Sequence, residues 1–173
     1  MSEKPYELKA DEKATQVMIA THDLLLWGDL VTKEQARISA FLSTLAEDFV
    51  PLHDVKILHL APSQQLAPMH RAEAYVKLEE ILLFYIMSED VPLPEESEVR
   101  RYKPVEILVG DFQIEALLLK SPISSIQNLL LVIKDDYVPV YKATIRHTAK
   151  PWLGTFSTSM VQVRRHRMTL IAS

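Results

Sequence analysis

The sequence predicts a mostly β protein with one helix per repeat, of the α+β class. It is expected to form two tandem small β-barrel units, each running β-β-α-β-β-β. Three observations carry this expectation. The chain aligns with itself at an offset of 88, which lays residues 17–59 on 105–147 without a gap. Short alternating apolar and polar runs, the mark of half-buried strands, flank tight turns. One helix-spaced apolar stripe recurs at the same place in both copies.

Eleven of the 43 aligned positions are identical, among them Val17/Val105, Asp23/Asp111, Leu42/Leu130, Pro51/Pro139 and His59/His147. After a slip of one residue the match resumes at Val76/Val163, Ile81/Met168 and Leu83/Leu170. Self-similarity on this scale marks a tandem duplication.

Each element follows in order. Val105 to Val109 alternates as a strand, Gly110-Asp111 makes a turn, and Phe112 to Leu119 alternates again, giving a hairpin. In the first copy Thr32 and Gln35 form a capping box ahead of Ile38, Phe41, Leu42 and Leu45. In the second, Ser121 is the expected N-cap and Pro122 the first helical residue, ahead of Ile126, Leu129, Leu130 and Ile133. A helix of about a dozen residues is expected at each stripe. An acidic pair follows each helix, Glu47-Asp48 and Asp135-Asp136, and then a strand, 49–57 or 137–145. Phe49, Val55 and Ile57, like Tyr137, Ala143 and Ile145, are expected on one face of it. Pro51 and Pro139 cannot donate to a ladder, so this strand should lie at an edge or carry a bulge. Two short strands close each copy, 74–78 with 81–87 and 161–165 with 168–171. The domain reading is a charged tail over 1–14, a first acidic barrel over 15–87, a Pro-rich acidic linker over 88–104 and a second, basic barrel over 105–173.

Composition narrows the function classes. The chain of 173 residues is 48% apolar and 24% charged, enough for a packed core. It has no Cys, which excludes disulfides, thiolate metal sites and a cysteine nucleophile. Its longest apolar run, Ile81 to Met87, is far too short for a membrane helix, and no leader opens it, so a cytoplasmic location is expected. Residues 1–98 hold 8 Lys+Arg against 18 Asp+Glu, whereas residues 99–173 hold 11 against 5. Such asymmetry speaks to partners.

Five short strands most economically close into a barrel, since closure removes exposed edges, with another small barrel or a two-sheet sandwich the alternative. Five residues after Asp23 stands Gly28, with Leu30 two further on; the second copy has Ala116 and Leu118 after Asp111. A small residue there suits a sharply bent strand with another folding across it. With the closing run Val161-Gln-Val-Arg-Arg-His-Arg-Met-Thr-Leu-Ile171, these positions resemble the Sm-like family of ring-forming RNA-binding barrels. The whole chain is also similar to bacterial proteins built from two such units. The family's short Asp/Asn loop is absent, replaced by the helix, and the Gly that follows its last Arg is missing. No base-reading residues are therefore implied here.

No catalytic, cofactor or metal residues are predicted. The three glycines are scattered, and neither His-Glu-x-x-His nor Gly-x-Ser-x-Gly occurs. His53 and His59 share a strand parity, with His22 and His70 nearby in sequence, but two imidazoles fall short of a metal site. Adjacent carboxylates on an extended segment face opposite ways, so the acidic pairs read as a shared turn. The candidate interaction surface is Arg100, Arg101, Arg146, Lys150, Trp152, Arg164, Arg165 and Arg167. Cations interleaved with aromatics suit an acidic protein surface or nucleic acid. The expectation is a non-catalytic interaction or assembly module without cofactor or membrane. Its partner would be itself, as a homo-oligomer, or an acidic protein surface, with single-stranded RNA the alternative.

Overall fold

The computed structural model describes residues 6–44, 48–60, 67–87 and 92–172. The chain divides into two units, Met1–Ser88 and Glu89–Ser173. In unit 1 the elements are β1 (Glu12–Ala20), β2 (Leu24–Lys33), α1 (Ile38–Thr44), β3 (Phe49–His59), β4 (Met69–Lys77) and β5 (Leu83–Ile86). Unit 2 has β6 (Arg101–Val109), β7 (Phe112–Lys120), α2 (Ile126–Val132), β8 (Tyr137–His147), β9 (Thr155–Arg164) and β10 (Met168–Ile171). Strand thus begins at Glu12 and at Arg101, within the segments expected to be tail and linker.

Alternation builds the strands. On β6 Val105, Ile107 and Val109 are buried while Leu108 faces out, and on β7 Phe112, Ile114, Ala116 and Leu118 are buried. The strand order is β5-β1-β2-β3-β4 in unit 1 and β10-β6-β7-β8-β9 in unit 2, every pairing within a unit being antiparallel.

The two units carry the same registers. Val17 faces Gly28 and Ala20 faces Leu25; 88 residues later Val105 faces Ala116 and Leu108 faces Gln113. Both ladders shift at the same place, between Trp27 and Asp29 and between Glu115 and Leu117. The extra residue on the partner strand adopts a positive φ in each copy, 48° at Asp54 and 47° at Lys142. These bulges let the strand change the face it buries, so Val50 and Leu52 lie in the core together with Val55, while Phe49 is exposed. Pro51 and Pro139 pair with β4 and β9, and the ladders to β2 and β7 stop at His53 and Tyr141. In the last strand the sequence alignment is off by one. Leu83 faces Ala20, and the residue facing Leu108 is Thr169, not Leu170.

A Cβ on Gly28 would lie 3.0 Å from the His53 carbonyl oxygen and 3.2 Å from Val55 Cγ2. The close crossing of β3, rather than any unusual φ, is what favours a small residue there.

The closed barrels and the α+β class do not hold. The protein is almost all β; among the described residues, two α-helices of seven residues each and three 3-10 turns make up the 13% that is helical. Within each unit the strands at the two ends of the order, β4 and β5 or β9 and β10, do not pair with each other, so the sheet stays open. Closure is not needed to blunt an edge when β10 is only four residues long and β4 carries His70, Arg71, Glu73 and Lys77. α2 is shorter than expected because its cap lies further in. Ser125, not Ser121, caps α2, its Oγ accepting the Asn128 N–H at 3.1 Å. Thr32 belongs to β2, its hydroxyl buried without a hydrogen-bond partner. Leu45 and Glu47 lie outside the described residues.

Candidate interaction site

The predicted basic residues separate into two groups along β8. Tyr137 and His147 mark its ends, roughly 30 Å apart for a strand of this length. At the Tyr137 end, Arg164 donates from Nη2 to the Tyr137 hydroxyl at 2.7 Å, and its guanidinium sits 5.0 Å from the centre of that ring. Burial pushes the Tyr137 phenol up to about 12, outweighing Arg164, which pulls it down. Arg165 donates from Nη1 to the carbonyls of Ile133 at 2.7 Å and Leu130 at 3.4 Å, binding the C-terminal end of α2. Its backbone N–H meets the Asp136 carbonyl at 2.8 Å, as Leu78 meets Asp48 at 2.7 Å in unit 1. Asp48 and Asp136 thus make the same backbone contact in their two units.

At the other end, Arg146 donates to Gln113 Oε1 at 2.9 Å and to Glu115 Oε1 at 3.1 Å, an exposed pair. Lys150 is half-buried, and Trp152 is 47% exposed on the 3-10 turn Pro151–Leu153. Arg100, Arg101 and Arg167 are exposed, and among the described residues their side chains make no ion pair. The eight predicted residues thus do not form one surface. Arg164 and Arg165 hold the fold, Arg146 is paired, and Arg100, Arg101 and Arg167 remain free to act on a partner.

The segment read as a linker packs on β6. The Tyr102 hydroxyl donates to the Pro94 carbonyl at 2.6 Å, and its N–H to Glu96 Oε1 at 2.9 Å. The acidic residues of this segment therefore belong to unit 2. By unit, Met1–Ser88 holds 13 Asp+Glu against 8 Lys+Arg, and Glu89–Ser173 holds 10 against 11. The polarity break at 98/99 lies inside unit 2, not at the boundary between units.

Sequence reasoning missed a cleft of about 300 Å³ between α2, the end of β7 and the start of β8. Leu118, Leu129, Ile133 and Val138 form its apolar walls, and Arg100 and Lys120 are its two charged residues. The predicted α2 stripe is only half covered, whereas Ile38 and Leu42 of α1 are buried. Val99, which lines the cleft, is 70% exposed, and Ile123, just before α2, and Leu131 and Val132, on it, are exposed by 97%, 74% and 74%. The signal that could have found them was present where the two aligned copies differ, not where they agree.

The histidines do not converge. His53 stacks on Tyr6 with ring centres 4.2 Å apart, and its Nδ1 lies 3.3 Å from Glu73 Oε1. No group of three or more His, Cys, Asp or Glu among the described residues is placed to hold a metal. His147 is buried edge-on to Phe112, both ring nitrogens without a hydrogen-bond partner. Burial holds this imidazole below the usual histidine range, with Asp111 opposing. Below about pH 6.5 the unfolded chain then binds a proton that the folded state resists, so stability is complete above that pH and falls as acid is added. Unit 2 should melt at a lower temperature at pH 5 than at pH 7.5, and His147→Phe should flatten that dependence. A pH-independent wild-type melt would contradict the assignment.

No helix of the described residues is long and apolar enough to cross a membrane. Compared with known proteins, the chain matches no family model, no curated protein and no solved structure.

Proposed function

We propose that the chain is a non-catalytic interaction module in which unit 2 is the binding unit and an acidic protein surface its partner. The observation that carries this reading is that Arg100, Arg101 and Arg167 are exposed and unpaired among the described residues, while neighbouring arginines are committed to the fold. Unit 1, net −5 by the counts above, supplies such a surface on a second copy, so homo-oligomerisation is the proposed outcome. The shared registers support descent of both units from one duplicated ancestor, and the small residues Gly28 and Ala116 support Sm-like kinship. An RNA reading draws on the same three free cations but loses Arg164 and Arg165, whose contacts lie within unit 2.

Sedimentation of an Arg100→Glu, Arg101→Glu, Arg167→Glu variant tests the proposal. At about 0.05 M salt, where exposed charges are screened least, wild type should run as a dimer or larger and the variant as a monomer. A variant that associates as wild type does would overturn it.

A further inference from the structure

On and beside α2, unit 2 carries apolar residues where unit 1 has polar ones. At four equivalent positions unit 1 carries Asp11, Gln35, Ser43 and Thr44, whereas unit 2 carries Val99, Ile123, Leu131 and Val132. All four unit 2 side chains are more than two-thirds exposed. Val99 lines the cleft, and the other three stand just before or on the helix that walls it; so many exposed apolar side chains mark a surface that is covered in use.

We propose that this face docks an acidic amphipathic segment of a partner protein, its apolar side over α2 and the cleft and its carboxylates against Arg100 and Lys120. Charge selects this occupant. Arg100 and Lys120 are the cleft's two charged residues, and among the described residues the Lys120 ammonium donates to a carbonyl, that of Ser121, at 2.6 Å, and to no carboxylate. A second copy seated face to face would bring the same two cations together across a desolvated interface. A small carboxylate would fill the cleft but leave Val99 and Val132 wet. At about 100° per residue Val132 borders Leu129 on the helix, within reach of a segment seated in the cleft, whereas Leu131 faces the opposite side. Tyr102, packed edge-on to Tyr141 with centres 5.7 Å apart, gives the cleft a rigid flank.

The inference rests on unit 2 being the binding unit, but the two fail separately. A protein that stays monomeric at low salt removes self-assembly and leaves segment docking intact. The test uses the full isotope-labelled chain. Its probes are a synthetic peptide of about 16 residues with Leu at helical spacing flanked by Glu, the same peptide with Lys for Glu, and n-decanoate. The Glu peptide should move the amide signals of residues 118–141 and bind about tenfold or more tighter than its Lys twin. Replacing Val99, Ile123, Leu131 and Val132 by the unit 1 residues should weaken it by about tenfold or more. Each of these residues occurs in the same register of the other unit, so the graft should fold. If its spectrum loses dispersion, Val132→Thr alone is used. Equal binding of both peptides, binding of neither, an unaffected variant or binding of decanoate alone would overturn the proposal. Self-association of wild type that the graft abolishes would also overturn it, by giving the face to a second copy.

Discussion

Phe112→Ala is expected to destabilise unit 2 by about 3–5 kcal/mol, the cost of emptying a fully buried aromatic site. Phe112 is 1% exposed, opens β7, faces Val109 and His147 in the two adjacent ladders, and lies edge-on to the His147 ring with centres 4.9 Å apart. Its removal takes packing from three strands together. At roughly 0.05–0.15 kcal/mol per residue, a unit of this size holds about 4–13 kcal/mol, so the variant should lose a large share of the stability of unit 2. Urea unfolding followed through the β7 and β8 amide signals checks this. The counterpart Leu24 is only half-buried, and Leu24→Ala should cost much less, about 1 kcal/mol. Equal losses at the two positions would refute the burial argument.

Arg165→Ala should cost about 1.5–3 kcal/mol, the range for hydrogen bonds from a charged donor. It frees the Ile133 and Leu130 carbonyls at the end of α2. Because Arg165 Nε is buried without a partner of its own, part of the side chain's gain is already offset, which sets the lower end of that range. Hydrogen exchange of amides 129–133 should accelerate. Arg165→Lys should restore little of the protection, since an ammonium cannot reproduce the guanidinium fork. Unchanged exchange in Arg165→Ala would show that α2 is held by packing alone. Charge reversal at Arg165 would therefore weaken binding of any partner through the fold and cannot by itself identify RNA as the ligand.

The hairpins were legible in the sequence because alternation on β6 and β7 is nearly unbroken and the turn contains Gly110. The existence of each helix was also legible, since Ile38 and Leu42 match Ile126 and Leu130. The helix lengths were not. Ser121, Ser124 and Ser125 all offer capping oxygens, and only the tertiary fold decides that Ser125 uses its own. The bulges were hidden because Asp54 and Lys142 are ordinary residues held at positive φ by strand pairing. That also hid which residues of 49–57 face inward. Closure failed as an expectation because nothing in a short apolar run says whether its outer edge meets a strand of the same unit. The basic cluster misled for a different reason. Arginines adjacent in sequence, Arg164 and Arg165, turn to Tyr137 and to α2, and Arg146 sits at the far end of the strand that begins at Tyr137. The cleft escaped notice because its apolar walls look like ordinary core in a linear reading.

Sedimentation velocity of the unaltered chain across ionic strength bears most directly on a binding unit that works by charge. Assemblies present at about 0.05 M salt should dissociate towards monomer at about 0.5 M, where the screening length falls to about 4 Å. A single monomeric boundary at every salt concentration would contradict it.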